Sequence, residues 1–520
     1  MNREEMLSRL EDQAGPWDML VIGGGATGVG SALDAAARGY NVLLAEQSDF
    51  GKGSSSRSTK LIHGGVRYLQ QGNISLVMEA LKERGILRNN APHLVHDLAF
   101  IVPNYDWWET PFYGIGMKVY DLLAGKYGFG TSRLLSKQET LKRIPTIRTE
   151  GFRGGVMYYD GQFDDSRLLI GMVRTAAEQG ATLLNYFRVT ALTKSSAGFL
   201  DGAVCENLET GKQYRVSAKV ILNATGPFSD SVRRLDDPQA AAMLAPSQGI
   251  HLVLDGSFLP GDSAIMVPRT SDGRVLFAIP WHGAALVGTT DTPISEVSLE
   301  PVPLPEEVDF LLETAGQYLR KAPTRDNVLS VFAGIRPLVK AGEGKNTAAL
   351  SRDHNIHISS SGLLSVTGGK WTTYRRMAED CVDQASMLAG LETRPCVTQQ
   401  LNIHGYHRSA AKFGDLKLYG ADAPAVADLL RAEPALEAKL HPALTARAGE
   451  VVWAARSEMA RTVDDFLARR TRSLVLNARA AIAAAPRVAA LLAKELGRGQ
   501  PWQTAQVEAF SRIAENYVLR

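Results

Sequence analysis

The stretch Met19–Gly28, MLVIGGGATG, decides the fold class. Its first four residues form a short apolar run, which predicts a buried strand. Gly23, Gly25 and Gly28 follow directly in the spacing GxGxxG. A helix rich in small residues is expected next, and Asn41–Ala45 has the composition of a second parallel strand. The pattern predicts one β-α-β unit of a Rossmann-like α/β fold.

This strand–loop–helix context indicates a dinucleotide site. The glycines let the backbone approach a pyrophosphate, and the helix N-terminus offers unpaired N–H groups and the positive end of a dipole. Glu46, at the end of the second strand, is placed to accept hydrogen bonds from ribose hydroxyls and to repel a 2′-phosphate. We therefore predict that Gly23, Gly25, Gly28 and Glu46 bind the cofactor.

Two later segments favour FAD over a nicotinamide cofactor. Ala224–Gly226 forms a turn at a strand end, where it can pack against a larger ring system. The stretch Thr367–Arg375, TGGKWTTYR, places two glycines at the start of a predicted helix. The N-terminus of that helix can stabilise negative charge on a flavin ring.

Composition and charge narrow the class of protein. The chain has 520 residues and a net charge of +2, which gives no indication of nucleic-acid binding. Cys205, Cys381 and Cys396 form no CxxC pair and no zinc spacing, so no metal site is predicted. Residues 391–520 hold 18 basic and 13 acidic residues. That excess fits either contact with an anionic surface or an ordinary solvated helical surface.

The sequence also indicates where in the cell the protein works. Met1–Pro16 is charged and lacks the apolar stretch of a signal peptide, and no segment approaches 18 uninterrupted apolar residues. The cysteine usage suits a reducing compartment. We therefore expect a cytoplasmic protein whose membrane contact, where it has one, is peripheral.

Several long motifs resemble those of the FAD-dependent glycerol-3-phosphate dehydrogenases. They follow the family's order along nearly the whole chain, and the absence of an EF-hand loop makes the resemblance closest to the bacterial form. The motifs are Gly53–Leu69, Ile279–Trp281 followed by Gly288–Asp291, Gly334–Leu338, Gly368–Arg375 and Arg461–Thr471.

The resemblance implies a D-amino-acid-oxidase-like FAD-binding domain, a β-rich cap and an all-helical C-terminal domain. It implies oxidation of sn-glycerol 3-phosphate to dihydroxyacetone phosphate, with electrons passed to ubiquinone or menaquinone at the inner face of the cell membrane. Homodimer formation is left open. The implied bounds are 1–390 for the oxidoreductase region (FAD-binding parts at about 17–90, 151–235 and 341–390, cap at about 91–150 and 236–340) and 391–520 for the helical domain.

The motifs contain groups that suit this chemistry. A phosphate dianion needs cationic partners, for which Arg67, Arg336 and Lys370 are the candidates. Oxidation at C2 requires the hydroxyl to lose its proton, and His251 is the predicted base, with Arg336 and Lys370 also placed in the catalytic set. Tyr68 and Thr290 are predicted neutral donors to the substrate. The remaining predicted cofactor-binding residues are Ser58, Thr59, Gly226, Gly368, Gly369 and Lys370.

Alternatives stay open at this point. An oxidase using oxygen would need nearly the same pocket, an amino-acid oxidase of the same fold would need one cation, and a non-catalytic flavin-binding protein would have lost turnover. Residues 107–130, which begin Trp107-Trp108, fit either a membrane interface near quinone or packing within the cap. His251 and His63 each also fit a structural role.

Overall fold

The computed structural model contains two β-sheets and a helical C-terminal part. Within the residues that it describes, no helix is both long and apolar enough to cross a bilayer. The described residues are 1–65, 73–106, 109–268, 270, 273–340 and 354–519.

Eighteen strands form the two sheets among the described residues. In chain order they are β1 (Trp17–Ile22), β2 (Val42–Ala45), β3 (Leu61–Ile62), β4 (Val95–Asn104), β5 (Arg133–Ser136), β6 (Gly154–Phe163), β7 (Thr182–Leu184), β8 (Phe187–Lys194), β9 (Leu200–Asn207), β10 (Gln213–Asn223), β11 (Ser247–Asp255), β12 (Ser263–Val267), β13 (Leu276–Trp281), β14 (Ala284–Gly288), β15 (Thr292–Pro293), β16 (Val328–Arg336), β17 (His354–Ile358) and β18 (Leu363–Gly368).

Helices connect these strands and make up most of the chain beyond residue 410. Short 3-10 turns at Ser54–Ser56 and Trp371–Thr373 and a π-helical segment at Asp465–Arg470 bear on the site. The α-helices are α1 (Arg3–Glu11), α2 (Ala26–Ala37), α3 (Ile74–Asn90), α4 (Glu109–Ala124), α5 (Lys137–Arg143), α6 (Asp165–Glu178), α7 (Ser229–Asp236), α8 (Pro305–Tyr318), α9 (Tyr374–Leu388), α10 (Ala423–Ala432), α11 (Pro434–Glu437), α12 (Ala448–Ser457), α13 (Ser473–Leu476), α14 (Ala478–Leu496) and α15 (Gln500–Ala514).

The first sheet carries the predicted β-α-β unit at its centre. Its order is β17-β18-β10-β1-β2-β7, and β1 runs parallel to both neighbours. Met19 is paired with Val42 on one side and Val220 on the other. Because β1 is covered on both faces, Met19–Ile22 carries apolar side chains at every position. The helix α2 begins at Ala26, directly after the glycines.

The second sheet forms the cap, in the order β15-β11-β14-β13-β12-β4-β6-β3, with β16 on β11 and β5 on β6. The strand β6 lies within residues 151–235, which the sequence assigned to a cofactor-binding part. In the structure this strand pairs along its whole length with β4. The predicted domain bounds stay predictions.

The C-terminal helices pack against the cap rather than standing apart from it. Phe466 and Leu474 lie in one buried cluster with Phe332 and Trp281, which belong to cap strands. The helix α14 buries Ala481, Ala485 and neighbouring small or aliphatic side chains on one face, as its periodicity predicts. The helical part therefore shares a core with the sheet that covers the site.

Candidate active site

The glycine loop forms a cradle that only glycine fits. Gly23 has φ +111°, and a Cβ there would lie 2.6 Å from the carbonyl oxygen of Ala224, the residue after β10. A Cβ on Gly28 would lie 1.9 Å from the carbonyl oxygen of Gly23. The loop thus folds tightly against the N-terminus of α2, where the positive end of the helix dipole favours an anion. Gly25 is the N-cap residue of α2 and, as a glycine, has no side chain of its own to cap the helix.

Glu46 lies where the sequence predicts it, at the C-terminal end of β2 beside the glycine loop. Its Oε2 accepts a hydrogen bond from the Gly24 amide at 2.6 Å and its Oε1 accepts one from the Ser48 amide at 2.7 Å. Burial raises the pKa of the Glu46 carboxyl, while these two amides oppose the shift. The carboxyl group is thereby held against the cradle, where a ribose would lie next to the pyrophosphate.

Two further turns complete the predicted cofactor site. Gly226 follows β10 with φ +55°, and a Cβ there would meet open space. Gly368 and Gly369 both have φ +75°, and they lead from β18 into the turn before α9. Left-handed backbone at these points favours glycine. Gly368, Gly369 and Lys370 line the same cavity as the cap residues described next.

A cavity of about 340 Å³ lies between the cofactor-binding segments and the cap sheet. Cap strands β11, β13 and β16 contribute one wall, and the loops around residues 54–65 and 368–372 contribute the other. Its lining includes the predicted residues Ser58, Thr59, His251, Thr290, Arg336, Gly368, Gly369 and Lys370.

His251 lies in β11 with its ring fixed on both faces. It stacks on Phe332 at 4.9 Å between ring centroids, and a Cβ on Gly288 would lie 2.2 Å from its Cδ2. Its Nε2 shares a hydrogen bond of 2.9 Å with the Thr59 hydroxyl. Burial, then the charges of Lys60 and Arg336, lower the pKa of His251 well below its ordinary value. The imidazole is therefore neutral at physiological pH and able to accept a proton.

Arg336 ends β16 and lies across the start of β11. Its Nη1 is 3.2 Å from Oδ1 of Asp291, and its Nη2 donates to the carbonyl oxygen of Thr290 at 2.9 Å. A Cβ on Gly249 would lie 2.4 Å from Nη2, so glycine makes room for the guanidinium. The side chain is about one quarter exposed, at 26%, and faces the cavity. It is thus oriented by the protein and still accessible to an anion.

The Thr290 hydroxyl makes hydrogen bonds within the protein. Its hydroxyl donates to Oε1 of Glu307 at 2.8 Å and accepts from the Ile250 amide at 3.0 Å. The hydroxyl hydrogen is thus used within the protein, and the predicted role of Thr290 as a donor to the substrate stays a prediction. Arg67 and Tyr68, the other two predicted substrate-binding residues, lie outside the described residues.

Ser58 is likewise used by the protein, because its hydroxyl donates to Oδ2 of Asp165 at 2.7 Å. Sequence reasoning missed this acid and its second partner, Lys60, whose Nζ lies 2.6 Å from the same oxygen. Burial lowers the pKa of Lys60 to about 7, although Asp165 opposes the shift.

Arg57 was also missed. It lines the cavity and pairs with Glu300 at 2.6 Å, and a cation within a run of serines was its only signal in the sequence.

The residues present fit FAD. The glycine cradle, the acid at the end of β2 and the glycine turn before α9 form one continuous site beside a cavity with a neutral histidine and an arginine. This arrangement defines a flavin-dependent oxidoreductase of the D-amino-acid-oxidase type. Residues 18–375 match the family model described as FAD dependent oxidoreductase, and residues 368–506 match that of the C-terminal domain of alpha-glycerophosphate oxidase.

Comparison with whole proteins narrows the class. The chain is 42% identical to a mitochondrial glycerol-3-phosphate dehydrogenase of Arabidopsis thaliana, over 96% of this chain and 86% of that one. It is 40% identical to the mitochondrial glycerol-3-phosphate dehydrogenase of Homo sapiens, over 95% of this chain and 72% of that one. The crystal structure of the glycerol-3-phosphate dehydrogenase from Bacillus halodurans complexed with FAD matches with a TM-score of 0.80 and 30% identity, covering 99% of this chain and 98% of that one.

The chain belongs to the family of FAD-dependent glycerol-3-phosphate dehydrogenases. The predicted fold class and the predicted cofactor, FAD, are confirmed. The individual residue roles described above stay predictions.

Proposed function

We propose that this protein oxidises sn-glycerol 3-phosphate to dihydroxyacetone phosphate and passes the electrons to membrane quinone, working from the cytoplasm at the inner face of the cell membrane. The observation that supports the first half is the cavity shared by His251, Arg336 and Lys370 beside the flavin site. An acid–base group and two cations face one space, as a phosphorylated alcohol requires.

The phosphate is held by cations. Arg336 presents a planar guanidinium that Asp291 and Thr290 keep in one orientation, so it can bind a phosphate without losing much side-chain entropy. Lys370 lines the same cavity and adds a second positive charge. Arg67 is the third proposed cation. The requirement for a cluster is the reason that we favour a phosphorylated substrate over an amino acid.

The C2 hydroxyl gives its proton to His251. Bound FAD supplies the two-electron acceptor for the C2–H bond. The Nε2 atom of His251 receives the proton, because that edge of the ring lies at Thr59, which also lines the cavity. The stack on Phe332 holds the ring in place while the proton moves.

Apolar side chains in the cavity support quinone as the acceptor. Leu61, Phe100, Met266, Val275 and Phe277 line the same cavity as His251 and Arg336. A phosphorylated three-carbon alcohol offers little apolar surface to these side chains, whereas a quinone ring packs against them. Oxygen needs no binding surface of this kind, so this lining favours a dehydrogenase over an oxidase.

The exposed face of α4 supports contact with a membrane. Phe112, Ile115, Val119 and Leu122 recur along one side of this helix, and Ile115 and Leu122 are 69% and 80% exposed. The opposite side buries Tyr113, Met117 and Tyr120 in the core of the cap, so the helix is apolar on two faces. Exposed Lys118, Lys126 and Arg133 lie nearby in sequence and suit anionic lipid. Trp107 and Trp108 lie outside the described residues.

Charged substitutions on this face are expected to separate the two half-reactions. Ile115→Asp and Leu122→Asp should each lower binding to vesicles of anionic lipid, and reduction of vesicle-borne ubiquinone or menaquinone, by about 10-fold or more, since each inserted side chain contributes roughly 1.5–3 kcal/mol. Activity with a soluble dye acceptor should stay unchanged, because both side chains are exposed. Sedimentation with vesicles and parallel assays with the two acceptors measure this.

Phe199→Asp is the matched control, since Phe199 is 58% exposed beside β9 and far along the chain from α4. It should leave all three measurements unaltered. A parallel loss of dye and quinone activity would assign the α4 face to packing. Stoichiometric hydrogen peroxide without quinone would replace the proposed acceptor by oxygen. Homodimer formation stays a prediction.

A further inference from the structure

The motif Arg461–Thr471 folds into a feature that the reaction does not explain. Its second half forms the π-helical segment Asp465–Arg470, and Arg472 follows in the left-handed region with φ +62°. Arg469, Arg470 and Arg472 are each no more than 2% exposed. Three buried guanidinium groups so close in the chain need partners, because an unpaired buried charge is strongly destabilising.

Besides other partners such as Asp464 and Asp165, these arginines contact one segment of the FAD-binding part, residues 49–60, which we call the flavin loop. Arg470 holds both oxygens of Asp49, at 2.7 and 2.9 Å, and Arg469 Nε donates to Oδ2 of Asp49 at 2.5 Å. Arg472 Nη2 donates to the carbonyl oxygen of Ser56 at 2.8 Å. Burial alone would raise the pKa of Asp49, but Arg470 and Arg469 hold it below its ordinary value. The contact is therefore one between opposite charges.

A further ion pair links the middle of the flavin loop to the same helical segment. Lys52 Nζ lies 2.7 Å from Oδ2 of Asp464, and Arg469 donates to that oxygen at 2.8 Å. The helical domain thus contacts the flavin loop at Asp49, Lys52 and Ser56, at intervals along it.

The other side of the flavin loop faces the cofactor site. The Ser55 hydroxyl accepts from the Ala26 amide at 2.9 Å, at the N-terminus of α2 where the glycine cradle ends. The Ser55 carbonyl oxygen accepts from Nε1 of Trp371 at 2.8 Å, next to the second glycine turn. Thr59 contacts His251. A shift of this loop would therefore disturb the pyrophosphate site, the flavin turn and the base together.

From these contacts we infer that the buried arginines Arg469, Arg470 and Arg472 are positioning residues for FAD: through them the C-terminal helical domain fixes the flavin loop and forms part of the cofactor site. The domain acts on the cofactor through the loop, not by touching it.

Arg472 allows the cleanest test, because its neighbours keep other partners when it is removed. The Ser56 carbonyl oxygen still accepts from Lys60 Nζ at 2.8 Å, and Lys60 also stays 2.6 Å from Asp165. Arg472 also lies 3.2 Å from Asp165 and 3.8 Å from Asp164. Asp165 keeps Lys60 and Asp164 keeps its hydrogen bond with His282, so Arg472→Met is expected to fold. The loop, however, loses the hydrogen bond that Ser56 accepts from the helical domain.

The experiment measures FAD binding to the full-length apoprotein by the quenching of flavin fluorescence, together with the visible spectrum of the reconstituted protein. Arg472→Met should raise the FAD dissociation constant about 10-fold or more and alter the visible band, because a hydrogen bond to a charged donor is lost. Arg472→Lys should restore part of the affinity. The control Arg487→Met removes an exposed arginine of the same domain that also donates to two backbone carbonyls, and it should change neither.

A lowered melting temperature with unaltered FAD affinity and spectrum would overturn the inference, since the arginine would then act on the fold alone. Lys52→Met tests the same link from the side of the loop and leaves Asp464 paired with Arg469. It should also weaken FAD binding, and parent-like affinity in both variants would contradict the positioning role. If Arg472→Met does not fold, Lys52→Met decides the question alone.

Discussion

Replacement of His251 by asparagine is expected to lower kcat for glycerol 3-phosphate with a dye acceptor by about 10²- to 10⁴-fold, the contribution of a positioned general base. Asparagine keeps a polar side chain near Thr59 but cannot take the proton. Since His251 acts on the substrate, the FAD content of the purified variant should equal that of the parent. Steady-state rates and the flavin absorbance measure the two quantities. Parent-like turnover would assign His251 to a structural role.

The pH dependence of kcat should identify the same group. Burial, Lys60 and Arg336 lower the pKa of His251 well below its ordinary value, so the ring stays unprotonated as the pH falls through 6.5. At saturating substrate, kcat should therefore show no loss between pH 8 and 6.5, and the acid limb should lie below that range. The parameter must be kcat, because the substrate phosphate itself titrates near pH 6. An acid limb centred at about 6.5 would indicate an exposed base elsewhere.

Replacement of Arg336 by methionine is expected to raise KM for glycerol 3-phosphate about 10- to 150-fold, which corresponds to roughly 1.5–3 kcal/mol for a lost charged contact. The residual rate with unphosphorylated glycerol should stay the same, because glycerol has no group for this arginine. Arg336→Lys should recover only part of the affinity, since an ammonium cannot bind a phosphate in two places. Steady-state kinetics with both alcohols measure the difference.

Asp291 provides the control for this variant. It loses its arginine in Arg336→Met but keeps a hydrogen bond from the Ser247 hydroxyl. The double variant Arg336→Met, Asp291→Asn removes the unpaired acid, and its KM should remain as high as that of the single variant. Recovery of KM in the double variant would mean that repulsion by Asp291, not loss of the phosphate partner, caused the effect.

The parts of the fold that sequence predicted are those set by local patterns. The cradle at Gly23 and Gly28 follows from glycine spacing after an apolar strand, and Ala478–Leu496 follows from helical periodicity. Glu46 was placed correctly because it ends a parallel strand next to the loop. In each case the residues that determine the structure lie within one β-α-β unit or one helix. Patterns of residues near in sequence are therefore enough to predict it.

What sequence could not predict depends on partners far apart in the chain. The Ser58 hydroxyl is taken by Asp165, 107 residues away, and the buried Arg470 finds Asp49 across 421 residues. Nothing local to Thr290 reveals that Glu307 accepts its hydroxyl hydrogen. Gly288 makes room for His251, and Gly249 makes room for Arg336. Sequence could not predict these roles either, because the close approaches arise only when strands of the cap pair.

The most direct test of the central claim is an anaerobic titration of the FAD-loaded protein with its proposed substrate, followed by the flavin absorbance. Addition of sn-glycerol 3-phosphate should bleach the visible band, and the same concentration of glycerol should leave it unaltered. The difference is expected because the phosphate offers the two cations that line the cavity, Arg336 and Lys370, a charged group that glycerol lacks. Equal bleaching by the two alcohols, or none by the phosphorylated one, would contradict the account.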